Sequence, residues 1–157
     1  PSARLEEGLI PELTITEHAA LLQERRTLRV PYPAAAEDAG RRIESFRIKG
    51  RPRTPVEELS GGNQQRLLLS FLPPDPALLL LENPTRGLDL ESVNWVWRHL
   101  HSYCRRGTAI VFSSPELDEI LMVADRVLVF FNGRIILDVA AAETDVQNLG
   151  SAIAGKV

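Results

Sequence analysis

Leu59-Ser60-Gly61-Gly62-Asn63-Gln64-Gln65 runs directly into Arg66-Leu67-Leu68-Leu69-Ser70-Phe71, a loop that hands over to a helix. Ser60 has the short hydroxyl favoured at an N-cap, and an apolar run begins one turn later. Two successive glycines leave backbone N–H groups uncovered at the helix N-terminus, where the macrodipole places about half a positive charge. That arrangement suits a phosphate. For Ser-Gly-Gly alone, an ordinary turn capping a core helix is the better reading. A second stretch at a fixed remove shifts the balance: Leu78-Leu79-Leu80-Leu81-Glu82-Asn83-Pro84-Thr85-Arg86-Gly87-Leu88-Asp89.

Together the two stretches resemble the nucleotide-binding domain of ATP-binding cassette (ABC) transporters. LSGGNQQ is similar to the family's signature motif, and LLLLENPTRGLD to its Walker B strand and D-loop, in order and at the family's spacing. The N-Q-Q and P-T-R-G-L-D endings are most similar to the branch that imports sugars and nucleosides. Pro1-Ser2-Ala3-Arg4 and Gly8-Leu9-Ile10-Pro11 echo segments that follow that branch's Q-loop strand, with Ser2 and Ala3 in place of two acids. The alignment sets the start of the chain just after the Q-loop. Pro1 rather than methionine at that start reads as a piece of something longer.

The 157 residues, 44% of them hydrophobic, suffice for one domain with a real core. A net charge of −3 gives no reason to expect a nucleic-acid partner. The single cysteine, Cys104, excludes an internal disulfide and suits a reducing compartment. No apolar run approaches the ~18 residues a membrane span needs, and nothing reads as a secretory leader.

Residues 1–13 read as loop. Thr14 or Thr16 is expected to cap a helix reaching about Leu28, with Glu17 in its first turn, and a second helix covers roughly Ala34 to Phe46. The basic residues Arg41, Arg42, Arg47, Lys49, Arg51 and Arg53 read as a solvated face. After the Gly-Gly helix, Pro73, Pro74 and Pro76 enforce a turn. Leu78 to Leu81, apolar at every position, predicts a strand inside a parallel sheet. Asp89 caps a helix from about Leu90 to Arg105 with Trp97 in the core; His99 and His101, two apart, make a poor metal pair. Gly107 ends that helix and Thr108 to Phe112 form the next strand, opening into Ser113-Ser114, with Pro115 expected in the first turn of a helix. Val127 to Phe131, Asn132-Gly133, then Arg134 to Val139 spell a hairpin, and residues 140–157 predict at most one frayed helix.

The alternation over 78–131 implies βαβ units, a parallel sheet and a ligand edge at the strand carboxyl ends, where Glu82-Asn83 and Ser113-Ser114 fall. The resemblance extends this to a partial P-loop-type three-layer α/β domain with a helical subdomain at the N-terminus and a C-terminal β-hairpin. It divides the chain into 1–58, the helical subdomain and connection, and 59–157, the carboxyl-terminal part of the ATPase core.

In the resembled family two cassettes face head to tail, and each ATP lies between one domain's Walker motifs and the other's signature. The resemblance therefore implies that Ser60, Gly61 and Gly62 contact the γ-phosphate of ATP held by a partner cassette. Gln64 either adds a contact there or faces solvent. Glu82 falls at the Walker B aspartate position, able to hold Mg2+ through water but one methylene longer. Asn83 falls at the catalytic glutamate position and Ser114 at the switch histidine position. Asn83 cannot take a proton, and losing a positioned base costs about 10²–10⁴ in rate. The local site thus reads as impaired, similar to a degenerate second cassette. Glu82 shifting to act as the base is the competing reading.

No G-x-x-x-x-G-K-[S/T] occurs, so phosphates have no cradle in cis and the isolated chain is expected neither to bind ATP tightly nor to hydrolyse it. The apolar edge at Leu78 to Leu81 is expected to drive self-association or aggregation. ATP, Mg2+, a second cassette and transmembrane permease subunits belong to the complete assembly the resemblance implies, with a periplasmic or lipoprotein solute-binding protein engaged indirectly. Its place is the cytoplasmic face of the cell membrane, peripherally. A non-catalytic regulatory or dimerisation module is the alternative, and a soluble cassette protein of DNA repair or translation is the weakest reading.

Overall fold

Thr14 opens the first helix with a reciprocal capping box. Its hydroxyl accepts the Glu17 N–H, and the Glu17 carboxylate accepts the Thr14 N–H at 2.7 Å. The computed structural model describes residues 8–23 and 31–156. The expectations for residues 1–7, for 24–28 of the first helix and for Val157 lie outside the described residues.

Helix α1 spans Ile15–Leu22 and α2 spans Tyr32–Ser45, with Pro33 in its first turn, where a missing N–H costs nothing. α2 begins two residues earlier than its apolar pattern predicts. Helix α3, Gly61–Ser70, follows a single 3-10 turn at Val56–Glu58. Ile15 and Ala19 of α1, Ala39 of α2, Ile48, Val56, Leu59 and Leu67 of α3 share one buried cluster. The residues on either side of the 58/59 boundary therefore sit in the same core.

Strand β1, Leu78–Glu82, lies beside β2, Ala109–Ser113, in the parallel arrangement that a helical crossover produces. The crossover is α4, Leu90–Cys104, capped by Asp89 and buried through Val96, Trp97 and Leu100. Gly107, at φ 95°, turns the chain from α4 into β2. The unbroken apolar run of β1 is not buried on both faces as expected. Leu79 is 6% exposed, whereas Leu78 is 51% and Leu80 72% exposed. Successive side chains of a strand point to opposite faces, so among the described residues only one face of β1 is covered.

The chain divides into two compact units at Phe112/Ser113. In the second, α5 (Leu117–Val123) precedes the antiparallel hairpin of β3 (Arg126–Phe131) and β4 (Arg134–Ala140). Asn132 and Gly133, at φ 47° and 75°, supply the left-handed pair a tight hairpin needs, and a bulge interrupts the register at Val129/Phe130. Pro115 stands before the N-cap Glu116 rather than inside α5. The tail corrects the expectation of a frayed segment. Asp145 accepts the Asn148 N–H and caps α6, Val146–Ile153, whose Leu149 and Ala152 pack with Val127, Val129 and Ala141. No described helix is long and apolar enough to cross a membrane.

Candidate functional site at the N-terminus of helix α3

The Ser60 backbone is extended, and its carbonyl accepts the Gln64 N–H at 2.9 Å, the first bond of α3. The expected side-chain cap is absent. Ser60 Oγ instead accepts from Asn63 Nδ2 at 2.8 Å, while Asn63 Oδ1 accepts the Lys49 N–H at 2.8 Å. Asn63 thus ties the turn after α2 to the turn before α3, and the amides that open α3 have no side-chain cap. Ser60 is exposed and Gly61 and Gly62 are half-buried, so the glycines are not walled inside the protein.

Gln64 is not the solvent-facing residue of one expectation. It is 7% exposed, and its Nε2 donates to the carbonyls of Val56 at 3.2 Å and Leu59 at 3.1 Å. These bonds donate to two carbonyls of the segment leading into the turn, so the amide builds the loop rather than facing solvent.

At the end of β1, Glu82 is exposed and Asn83 half-buried with φ 45°. Asparagine tolerates this left-handed backbone better than most residues. The Asn83 and Thr85 carbonyls accept the N–H groups of Arg86 and Leu88, and Gly87 at φ 67° completes the turn to Asp89. Asp89 accepts the Ser92 N–H at 2.9 Å and the Ser92 hydroxyl at 3.0 Å. The first of these bonds, then the second, holds the Asp89 carboxyl below the usual aspartate range.

Magnesium takes oxygen ligands in near-octahedral order, commonly one or two carboxylates with phosphates and waters. Glu82 offers one such carboxylate; Asp89 is occupied with Ser92, and no group of three or more metal-ligating side chains occurs among the described residues. Of these two, Glu82 is the carboxylate that could hold such an ion through water. In the second unit, the Ser114 hydroxyl donates to Glu119 Oε2 at 3.2 Å and accepts the Glu116 N–H at 3.1 Å, a local brace at the entry to α5.

Several residues that frame α3 were not legible as functional. The Arg66 guanidinium lies 4.1 Å from the Trp95 ring centroid and donates to the Phe46 carbonyl at 3.3 Å. Burial pushes its pKa down. Trp95 stacks on His99 at 5.1 Å, and His99 meets Phe46 at 4.9 Å and Tyr103 at 5.5 Å. His99 Nε2 is buried without a hydrogen bond, and burial followed by the Arg106 charge lowers its pKa, keeping it neutral. The i, i+4, i+8 spacing of Trp95, His99 and Tyr103 was the available signal.

No family model matches the chain. It is 38% identical to the xylose import ATP-binding protein XylG of Burkholderia ambifaria, over 98% of this chain and 31% of that protein. It is 32% identical to the ribose import ATP-binding protein RbsA of Rhodopirellula baltica, over 95% of this chain and 30% of that protein. It thus spans about a third of the length of these relatives. Among solved structures, an ATP-binding subunit of an ABC transporter matches with a TM-score of 0.70 at 19% identity, over 92% of this chain and 63% of that one. An ATP-binding cassette dimer in a post-hydrolysis state with ADP and phosphate matches at 0.66 and 20% identity, over 85% of this chain and 59% of that one.

Proposed function

We infer that this chain, which belongs to the ABC ATPases of sugar-import systems, contributes the trans half of an ATP site while its own catalytic positions are degenerate. The α3 N-terminus receives the γ-phosphate of ATP bound by an opposing cassette: the Ser60 hydroxyl and the amides beginning at Gly61 donate to it, reinforced by the helix dipole. The observation that carries this reading is the uncapped start of α3, with Ser60 exposed, its hydroxyl bonded by Asn63 and the preceding Leu59 carbonyl by Gln64. Donors fixed before the ligand arrives need no reorganisation when charge develops on the phosphate.

At the home site Asn83 can hold a water but cannot accept its proton, so this turn does not activate a nucleophile. Magnesium, when bound with ATP, neutralises phosphate charge; Glu82 would hold it through one water-mediated contact. The assembly couples ATP turnover at the partner's site to sugar uptake through transmembrane permease subunits, from the cytoplasmic face of the membrane. A solute-binding protein delivers the sugar.

ATP turnover by the assembled importer tests the assignment. Ser60→Arg is expected to lower kcat on the order of a hundredfold by filling the phosphate position, and Asn83→Ala to leave it within about threefold. Abolished turnover in Asn83→Ala would contradict the degenerate home site. Unchanged turnover in Ser60→Arg would leave only a non-catalytic dimerisation module.

A further inference from the structure

Gly62 is hemmed in by its own chain. A methyl group placed on it would lie 2.5 Å from Ser92 Oγ and 3.3 Å from Ser92 Cβ, with Asp89 Oδ2 at 3.8 Å. Ser92 has little freedom to yield, because it is buried and both its N–H and its hydroxyl are bonded to the Asp89 carboxylate. One turn further along each helix stands a second contact, the Arg66 guanidinium over the Trp95 ring at 4.1 Å. Gly62 and Arg66 are four apart on α3, and Ser92 and Trp95 three apart on α4, so each pair shares a helical face. The start of α3 therefore packs closely against the first turn of α4 at Gly62 and Ser92, and the two helices are joined one turn on by Arg66 over Trp95.

We propose that Ser92 and Trp95 are positioning residues that lock the α3 N-terminus to the Asp89 turn, so that seating a partner's nucleotide on α3 and moving the Asp89 turn are one event. The proposal rests on the trans-site reading given above. It gives Gly62 a reason of its own: the residue is glycine because α4 packs against it, and a side chain there misaligns the neighbouring amides. Damage at Gly62 is then repairable from α4, which a glycine needed only for phosphate approach would not allow.

The test is a double-mutant cycle on the complete polypeptide in its assembled importer, with ATP as the probe. Gly62→Ala is expected to lower kcat on the order of a hundredfold, the effect of a displacement near 1 Å. Adding Ser92→Gly, which removes both obstructing atoms, is expected to return at least about tenfold of that loss. Trp95→Phe, which keeps a ring beneath Arg66, is expected to stay near the parent, and Trp95→Ala to lose kcat with KM for ATP little changed. Hydrogen exchange at residues 62–66 of the nucleotide-free polypeptide should quicken in Trp95→Ala but not in Trp95→Phe. Full activity of Gly62→Ala, a double variant as poor as Gly62→Ala, or Trp95→Phe as impaired as Trp95→Ala overturns the proposal. Should exchange respond as expected while Ser60→Arg keeps full turnover, the fastening stands and the trans-site reading falls.

Discussion

The start of α3 and the end of β1 lie in the same compact unit, and both place polar groups at an element's end, yet they are built in opposite ways. At α3 the side chains face inward. Gln64 bonds the approaching backbone and Asn63 bonds the preceding turn, leaving an uncapped row of amides. At β1 the polar side chains themselves, Glu82 and Asn83, mark the end, and the backbone beneath Asn83 is left-handed. On the proposed reading the first is an anion site whose specificity resides in main-chain geometry. On the same reading the second depends on side-chain chemistry and carries Asn83 where a proton acceptor is needed, so exchanging that one residue is expected to matter little.

The sharpest way to break this contrast is a charge at the α3 amides. Gly61→Asp sets a carboxylate where a phosphate would arrive, and turnover in the assembled importer should fall by roughly a hundredfold or more, as when positioned donors are lost. Next comes the inward support. Gln64→Ala takes the buried amide donor from the Leu59 carbonyl and one of the two donors, the other being the Leu59 N–H, from the Val56 carbonyl, at a cost of about 1–2 kcal/mol in stability by chemical denaturation. A smaller effect follows from pH. Because hydrogen bonds hold the Asp89 carboxyl below its usual range, its ionised form favours the folded state above the ordinary value near 3.9. That contribution is lost as pH falls through the lowered value, so Asp89→Asn should show a shallower acid loss of stability than the parent. The smallest effect belongs to β1: Asn83→Glu restores a carboxylate, but φ 45° strains a glutamate by about 1–2 kcal/mol. Turnover is expected to change by less than about threefold, and a large gain would show that only the base was missing.

Much of this was legible in the residues. The helix start at Thr14 or Thr16, the Asp89 cap, the β1–α4–β2 crossover and the Asn132-Gly133 hairpin follow from local patterns, while the reciprocal Thr14–Glu17 box came from the structure. Helix α6 was underread because its signal is short: the Asp145 cap and Leu149 acquire meaning only once Val127 and Val129 offer a surface. Leu80 was misplaced for the converse reason. An apolar run announces two covered faces, but exposure depends on which neighbours are present. Gln64 deceived because one side chain can serve a ligand or its own loop, and sequence carries no direction.

By itself the sequence determined the order of elements and the glycine-opened start of α3, since these depend on residue identity and near-neighbour spacing. Only the tertiary structure decided that Gln64 is spent on Val56 and Leu59, that Gly62 lies against Ser92, and that Arg66 rests on Trp95. Each of these joins residues separated along the chain, and which partner a polar or apolar group meets is settled by packing geometry rather than by local preference.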